Sequence, residues 1–135
     1  MEYQPTTTSA KVFAEAGQLE EWVHMFLNGE GNNPPFSDGL KLCERRYHAP
    51  KKYPLEAFVR ICGPEAEMKW TIDADGFNER VGKIMARYQT GDWDMPPLII
   101  ELKDGEYDLN DGNHRYEALT RLGIEEHWVI IWETV

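Results

Sequence analysis

Residues Trp128 to Trp132 form an uninterrupted apolar run, Trp-Val-Ile-Ile-Trp, within a sequence of 135 residues. A strand that lacks polar alternation is typical of a sheet position covered on both faces. The chain must therefore place other elements on both sides of this strand. A chain of this length fits one domain and buries roughly two thirds of its unfolded surface. We predict a single domain over residues 1–135 that folds without metal or disulfide support.

Hydrophobic periodicity predicts the remaining elements. Apolar residues recur at helical spacing from Ser9 to Leu27, so we expect one amphipathic helix, an N-terminal extension over residues 9–28. A second helix is predicted from a cap at Asp75 to Tyr88, and a third from Gly112 to about Leu122. A short helix is expected to start at Pro54, and residues 29–35 are expected to be a loop. Strands are predicted at Leu40–Tyr47, Met68–Ile72, Leu98–Leu102, Glu106–Leu109 and Trp128–Trp132.

The mixed order of strands and helices predicts an α+β fold, a mixed sheet with packed helices. We assign the tryptophans at positions 70, 93, 128 and 132 to the core rather than to base-stacking platforms, because each adjoins an apolar strand or turn. Cys43 and Cys62 are too few for a disulfide framework and belong to no zinc motif. We interpret them as structural thiols, and a bridge between them stays open.

The acidic net charge limits the kinds of ligand that the protein can bind. The sequence has 24 acidic and 14 basic residues, a formal net charge of −10, which disfavours duplex DNA because nonspecific affinity depends on Lys and Arg contacts with phosphates. One small phosphate ligand in a local basic pocket is still compatible. No apolar run approaches the roughly 18 residues of a membrane span, and the first residues lack the pattern of a secretory signal. We expect a soluble, cytoplasmic protein with no membrane partner.

The segment Asp111 to Arg115, Asp-Gly-Asn-His-Arg, is a predicted strand-turn-helix junction. The first N–H groups of a helix lack intrahelical partners and lie at its positive end, where they can hold an anion. His114 and Arg115 in that turn oppose the helix dipole at about 0.3–1 kcal/mol each, and a bound phosphate would reverse this cost. The alternative is that Arg115 pairs with Asp111 or Glu117 and that His114 caps a neighbouring loop.

A basic stripe precedes this junction. Arg80, Lys83 and Arg87 fall on one narrow arc of the second helix with no acid between them. They form either an ordinary solvated face or one wall of the same anion site. Acidic residues are dense around the predicted hairpin, but strand alternation sends some to opposite faces, so we assign no metal site. These acids are Glu101, Asp104, Glu106, Asp108 and Asp111.

The junction also resembles a known family. Asp111 to Ala118, preceded by a hairpin led by Pro96-Pro97 and followed by Leu122-Gly123 and a closing strand, resembles the ParB/sulfiredoxin superfamily over residues 53–132. The shared signature is Gly-x-His/Arg-Arg followed by a helical Ala. The resemblance implies a compact α+β nucleotide-binding fold whose turn grips phosphates of ATP, ADP or CTP. It also implies phosphate contacts from the preceding helix, at positions that match Arg80, Lys83 and Arg87.

The sequence departs from each branch of that superfamily. Sulfiredoxins carry a catalytic Cys where this chain has Asn113, which cannot form a thiolate, so we do not expect sulfinic acid reduction by that route. We expect no ParB-type helix-turn-helix domain after the closing strand. The free serine kinases have an Asp-Gly-His-x-Arg type of motif, whose leading Asp matches Asp111. Their catalytic Glu lies nearer the N-terminus, where Glu56 and Glu65 are candidates.

Three functions follow as hypotheses. The first is a nucleotide-dependent phosphotransferase or nucleotide hydrolase, in which the turn holds phosphates and a carboxylate orients a nucleophile or Mg²⁺. The second is a non-catalytic nucleotide-sensing or protein-interaction module. Two copies of such a module could form a homodimer through the N-terminal helix. The third, a nuclease, is disfavoured by the acidity. The predicted phosphate-binding residues are Gly112, Asn113, His114, Arg115, Arg80, Lys83 and Arg87, and the predicted catalytic residues are Asp111 and Glu56.

A role for Arg115 in ligand binding alone leads to a further expectation. The substitution Arg115→Ala should abolish stabilisation by nucleotide and leave the melting temperature of the unliganded protein nearly unchanged.

Overall fold

A computed structural model of the protein describes all residues from Met1 to Val135. It confirms the α+β class, with five α-helices and eight strands. The helices are α1 (Thr7–Glu15), α2 (Leu19–Asn28), α3 (Pro34–Leu40), α4 (Ala74–Gln89) and α5 (Asn113–Arg121). The strands are β1 (Arg45–Tyr47), β2 (Lys51–Pro54), β3 (Val59–Arg60), β4 (Cys62–Gly63), β5 (Trp70–Thr71), β6 (Leu98–Lys103), β7 (Glu106–Asp111) and β8 (Glu126–Thr134). A 3₁₀ turn, Leu55–Ala57, follows β2.

Strand β8 lies inside a six-stranded mixed sheet. It pairs in parallel with β6 on one side, and β1 and β2 pair antiparallel with successive parts of its other side. Strand β7 continues the sheet as a hairpin with β6, and β3 pairs in parallel with β7 at the edge. The short strands β4 and β5 form a separate parallel pair.

Both faces of β8 are buried, as the apolar run predicts. Ile130 and Trp132 face a core that α1 and α2 cover, which includes Trp22 and Phe26. The alternate residues of β8 face a second core with side chains of α5, β6 and β7. Its buried members are Leu55, Phe58, Met95, Leu98, Ile100, Leu109, Leu119, Val129 and Ile131. Helix α4 packs on α5 through a third cluster of Phe77, Val81 and Ala118.

The N-terminal segment differs from the single predicted helix. The chain breaks between α1 and α2, where Gly17 has a φ of +73° that favours glycine. The apolar period continues across the break because both helices pack on the same sheet face. Its apolar side chains are buried against the sheet, so a homodimer through these helices would have to use their outer face, where Val12 and Met25 are exposed.

Other boundaries differ as well. The short helix expected at Pro54 is only the 3₁₀ turn Leu55–Ala57, and the predicted strand Met68–Ile72 forms only as β5. The predicted loop over residues 29–35 ends early because Pro34 starts α3, a position that suits the fixed φ of proline. Of the predicted strand Leu40–Tyr47 only β1 forms, because Leu40 is the last residue of α3. Helix α4 is capped by Asp73, whose carboxylate accepts from the Gly76 N–H at 2.8 Å, rather than by Asp75. No helix combines the length and the apolarity that crossing a bilayer would require.

Candidate anion-binding site

The junction between β7 and α5 is an uncapped helix start. Gly112 takes a φ of +103°, and a Cβ there would lie 2.6 Å from Cδ2 of Leu98, so the position requires glycine. Glycine has no side chain to cap the helix. The first helical hydrogen bond runs from the Tyr116 N–H to the Gly112 carbonyl at 2.8 Å. The preceding N–H groups, of residues 113–115, have no intrahelical acceptor and are free for an anion.

The Asn113 side chain is used by the protein itself. Its Oδ1 accepts from the backbone N–H groups of Ile61 and Cys62, each at 3.2 Å, and its Nδ2 donates to the Leu109 carbonyl at 3.3 Å. The side chain is buried. Asn113 therefore ties the start of α5 to the segment that leads into β4, and its side chain is not available to a ligand.

The Arg115 guanidinium is also bound by groups of the protein itself. Nη1 donates to the carbonyls of Pro96 at 2.7 Å and Pro97 at 3.0 Å, and Nη2 donates to Oδ2 of Asp111 at 3.1 Å. The residue is 8% exposed. Pairing with Asp111 is the alternative that the sequence left open. These hydrogen bonds leave few guanidinium N–H groups for a phosphate. They also give Arg115 a structural role, which does not fit the expectation that Arg115→Ala leaves the melting temperature of the unliganded protein nearly unchanged.

Asp111 is buried beside Arg115 at the end of β7. Burial raises the pKa of this carboxyl above its ordinary value, although the Arg115 charge and hydrogen bond act in the opposite direction. The contact with Nη2 of Arg115 at 3.1 Å occupies this carboxylate in the ion pair, so it is not free to orient a nucleophile.

A cavity of about 560 Å³ opens at this junction. Its walls are the loop between α2 and α3, the β4 and β5 pair, and helix α4, with the α5 start on one side. A smaller cavity of about 200 Å³ lies between α2, α4 and the same turn. The two cavities share Gly31, Arg80, Asp111, Gly112 and His114.

The charges that line the larger cavity favour an anion. Arg80 and Lys69 are exposed there and neither forms an ion pair within the protein. The one acid among the lining residues is Asp111, which Arg115 balances. The cavity thus carries uncompensated positive charge inside a protein whose net charge is −10.

His114 lies close to the same positive charges. Its pKa is lowered to about 4, first by burial and then by the charges of Arg80, Arg115 and Arg60. The ring packs 4.9 Å from the ring of Phe77, measured between centroids. At pH 7 the imidazole is therefore neutral and can donate one N–H to a ligand.

The predicted basic stripe divides in the structure. Arg80 lines both cavities. Arg87 lines the smaller one, with its guanidinium 4.2 Å from the Trp93 ring centre and 3.4 Å from Glu30. Lys83 lines neither and pairs with Glu79 at 3.3 Å on the exposed side of α4. The structure therefore brings Arg80 and Arg87, but not Lys83, to the junction.

The predicted catalytic glutamates do not join this site. Glu56 is exposed on the 3₁₀ turn and lines neither cavity. Glu65 pairs with Arg60, which also binds Glu117 at 2.9 Å. No group of three or more His, Cys, Asp or Glu side chains is placed to hold a metal ion. The donors here do not fit a protein-held Mg²⁺, because Asp111 is the larger cavity's one carboxylate and is already paired.

Two parts of the cavity lining are not predicted from the sequence, namely the loop that follows α2 and Trp70 on β5. The loop from Gly31 to Asn33 lines the larger cavity, although the Gly-Asn-Asn-Pro-Pro sequence marked it only as a loop. Asn32 adopts a φ of +47° there, and irregular loops on a rigid scaffold often carry function. Trp70, assigned to the core, is 60% exposed on the cavity wall instead.

Comparison with known proteins gives likeness of fold only. No family profile and no curated protein matches the sequence. The fold is similar to sulfiredoxin from Arabidopsis thaliana, with a TM-score of 0.46 and 24% identity over 61% of this chain and 82% of that chain. It is similar to SbnI with C-terminal truncation from Staphylococcus aureus, with a TM-score of 0.44 and 22% identity over 64% of this chain and 30% of that chain.

A further similar structure is the C-terminally truncated chromosome-partitioning protein ParB from Caulobacter crescentus, complexed with CTP-gamma-S. Its TM-score is 0.40, with 19% identity over 64% of this chain and 44% of that chain. This chain thus spans less than half the length of the SbnI and ParB chains. The solved structures to which the fold is similar include sulfiredoxin and ParB N-domain structures.

Proposed function

We propose that this protein binds a compact phosphate-bearing ligand of the nucleotide class at the start of α5. The observation that carries the proposal is that Arg80, which has no ion-pair partner, lines one cavity together with the uncapped turn from Gly112 to His114. Lys69 adds a second unpaired cation to the same cavity. Phosphate is the anion that such a combination of backbone amides and guanidinium suits best.

The proposed binding mode follows from these groups. Phosphate oxygens accept from the N–H groups at the start of α5, and Arg80 adds charge-assisted hydrogen bonds from α4. Neutral His114 contributes one N–H. The cavity of about 560 Å³ has the size of a small-molecule site. The acidic remainder of the surface disfavours a long polyanion, so the ligand is small.

Binding without phosphotransfer is the function that this geometry supports best. A phosphotransferase needs a carboxylate that is free to orient a nucleophile or a metal ion. Asp111 is paired with Arg115, and Glu56 lies outside both cavities. We therefore favour the nucleotide-sensing module over the phosphotransferase, the hydrolase and the nuclease.

A pair of variants on one helix tests the proposal. Isothermal titration calorimetry measures the affinity of wild type, Arg80→Gln and Lys83→Gln for ATP, ADP, CTP, GTP and inorganic tripolyphosphate. Loss of one charged hydrogen-bonding partner weakens binding by about tenfold or more, so we expect that loss for Arg80→Gln. Lys83→Gln is the matched control on the same helix and should stay within about twofold of wild type.

Two results would contradict the proposal. Binding is disproved if wild type takes up none of these phosphates, and the site is misplaced if the Lys83 and Arg80 variants weaken equally. A phosphate-release assay with and without Mg²⁺ and free serine tests the absence of catalysis. Turnover that depends on Asp111 would show that the protein is an enzyme.

A further inference from the structure

We infer that Trp70 is the stacking platform for a planar ring of the ligand, so that the site selects phosphates that carry an aromatic base. This inference rests on the proposed function. Trp70 is 60% exposed, whereas Trp22 is fully buried and Trp132 is 5% exposed. A tryptophan side chain is highly buried on average, and this one lies on the wall of the cationic cavity.

Hydrogen bonds fix the platform relative to the anion-binding turn. The backbone N–H of Trp70 donates to the Ile61 carbonyl at 2.8 Å, and the backbone N–H of Ile61 donates to Oδ1 of Asn113 at 3.2 Å. The Ile72 N–H adds a bond to the Gly63 carbonyl at 2.9 Å. The backbone that carries the indole is therefore linked to the first residue of α5 through one intervening residue.

The cavity gives a ring and a phosphate separate places. The phosphate-binding groups lie at the turn and on α4, and Trp70 lies on the wall that β5 forms. Lys69 also lines this wall, with its Nζ 5.9 Å from the Trp70 ring centre. A ligand with a phosphate at the turn can extend across the cavity and lay its ring on the exposed indole face. Stacking of this kind is independent of base identity because every base has a π face.

The test separates the ring from the phosphate. Calorimetry compares wild type and Trp70→Ala with ATP and CTP, and with tripolyphosphate as a probe without a base. Stacking energies on aromatic side chains correspond to an affinity loss of about 5- to 150-fold. We expect Trp70→Ala to lose nucleotide affinity in that range and to keep tripolyphosphate affinity within about twofold. Trp70→Phe should keep most of the nucleotide affinity.

A control and three outcomes complete the test. Trp128→Ala is the control, because Trp128 lies against Lys11 and Lys52 and lines neither cavity. Unchanged nucleotide affinity in Trp70→Ala overturns the platform and leaves the proposed function standing. An equal loss for nucleotide and tripolyphosphate also overturns it, since Trp70 would then act by shaping the turn. If wild type binds no phosphate at all, the proposed function fails and the inference with it.

Discussion

Nη2 of Arg115 lies 3.1 Å from Oδ2 of Asp111, and their side chains are 10% and 11% exposed. The same guanidinium donates to the carbonyls of Pro96 and Pro97. One side chain thus joins the entry to β6, the end of β7 and the first turn of α5. This ion pair therefore holds the turn from Gly112 to His114 against the sheet.

Removal of the Arg115 guanidinium should destabilise the protein strongly. In Arg115→Ala the Asp111 carboxylate stays buried without its partner, a situation that costs about 3–5 kcal/mol. Urea unfolding followed by circular dichroism measures the free energy of unfolding. The double variant Asp111→Asn/Arg115→Met removes both charges and should recover part of the loss. A loss below about 1 kcal/mol in Arg115→Ala would mean that the pair is not a structural support.

Stability should fall in mild acid because of His127. Burial lowers the pKa of His127 to about 4, below the value of about 6.5 in an unfolded chain. Between these values the unfolded state binds a proton that the folded state does not, so stability is fully present above pH 6.5 and is lost as the pH falls toward 4. This group alone contributes about 2–3 kcal/mol to that loss. His114 acts in the same direction.

The His127 contribution can be isolated by one variant. Nε2 of His127 lies 3.2 Å from the Pro96 carbonyl, and in His127→Gln the amide can donate to that carbonyl without titrating. Chemical denaturation at pH 7 and pH 4 should show a smaller difference for the variant than for wild type. His48→Gln removes an exposed histidine and serves as the control. Equal pH dependence in wild type and His127→Gln would refute the assignment.

The two cysteines provide a footprint of the cavity. Cys62 lines the larger cavity, and Cys43 is exposed elsewhere. Burial raises the pKa of the Cys62 thiol, so this residue should react with a maleimide more slowly than Cys43 even without ligand. A saturating nucleotide should slow Cys62 further, by about fivefold or more, and leave Cys43 unchanged. Mass spectrometry of each labelled peptide measures both rates. Equal effects on the two thiols would place the ligand elsewhere.

The sequence predicts what local patterns determine. The turn at Gly112 is predicted correctly because its backbone conformation favours glycine. The central strand is predicted correctly because an unbroken apolar run indicates burial on both faces. The break between α1 and α2 is not predicted, since the apolar period continues across Gly17. Only the common sheet face explains how two helices share one stripe.

Contacts distant in sequence decide the details of the site. Alternation in Met68–Ile72 indicates two faces of a strand, but it does not say whether anything covers Trp70. Charge order along α4 places Arg80 and Lys83 on one arc, yet Glu79 pairs with Lys83 and leaves Arg80 unpaired at the cavity. The Arg115 carbonyl acceptors lie 18 and 19 residues earlier. Such hydrogen-bond partners depend on how the sheet assembles, and a local sequence pattern does not predict them.

The position of β8 in the sheet has a consequence for folding. Strands β1 and β2 find their hydrogen-bonded neighbour only in β8, some 70 to 90 residues later in the chain. During synthesis the core that α1 and α2 cover is therefore incomplete until residues 126–134, which supply Ile130 and Trp132, have been made. Pairing over such separations is slow. A folding rate limited by docking of the last strand, rather than by helix formation, is the kinetic consequence of this topology.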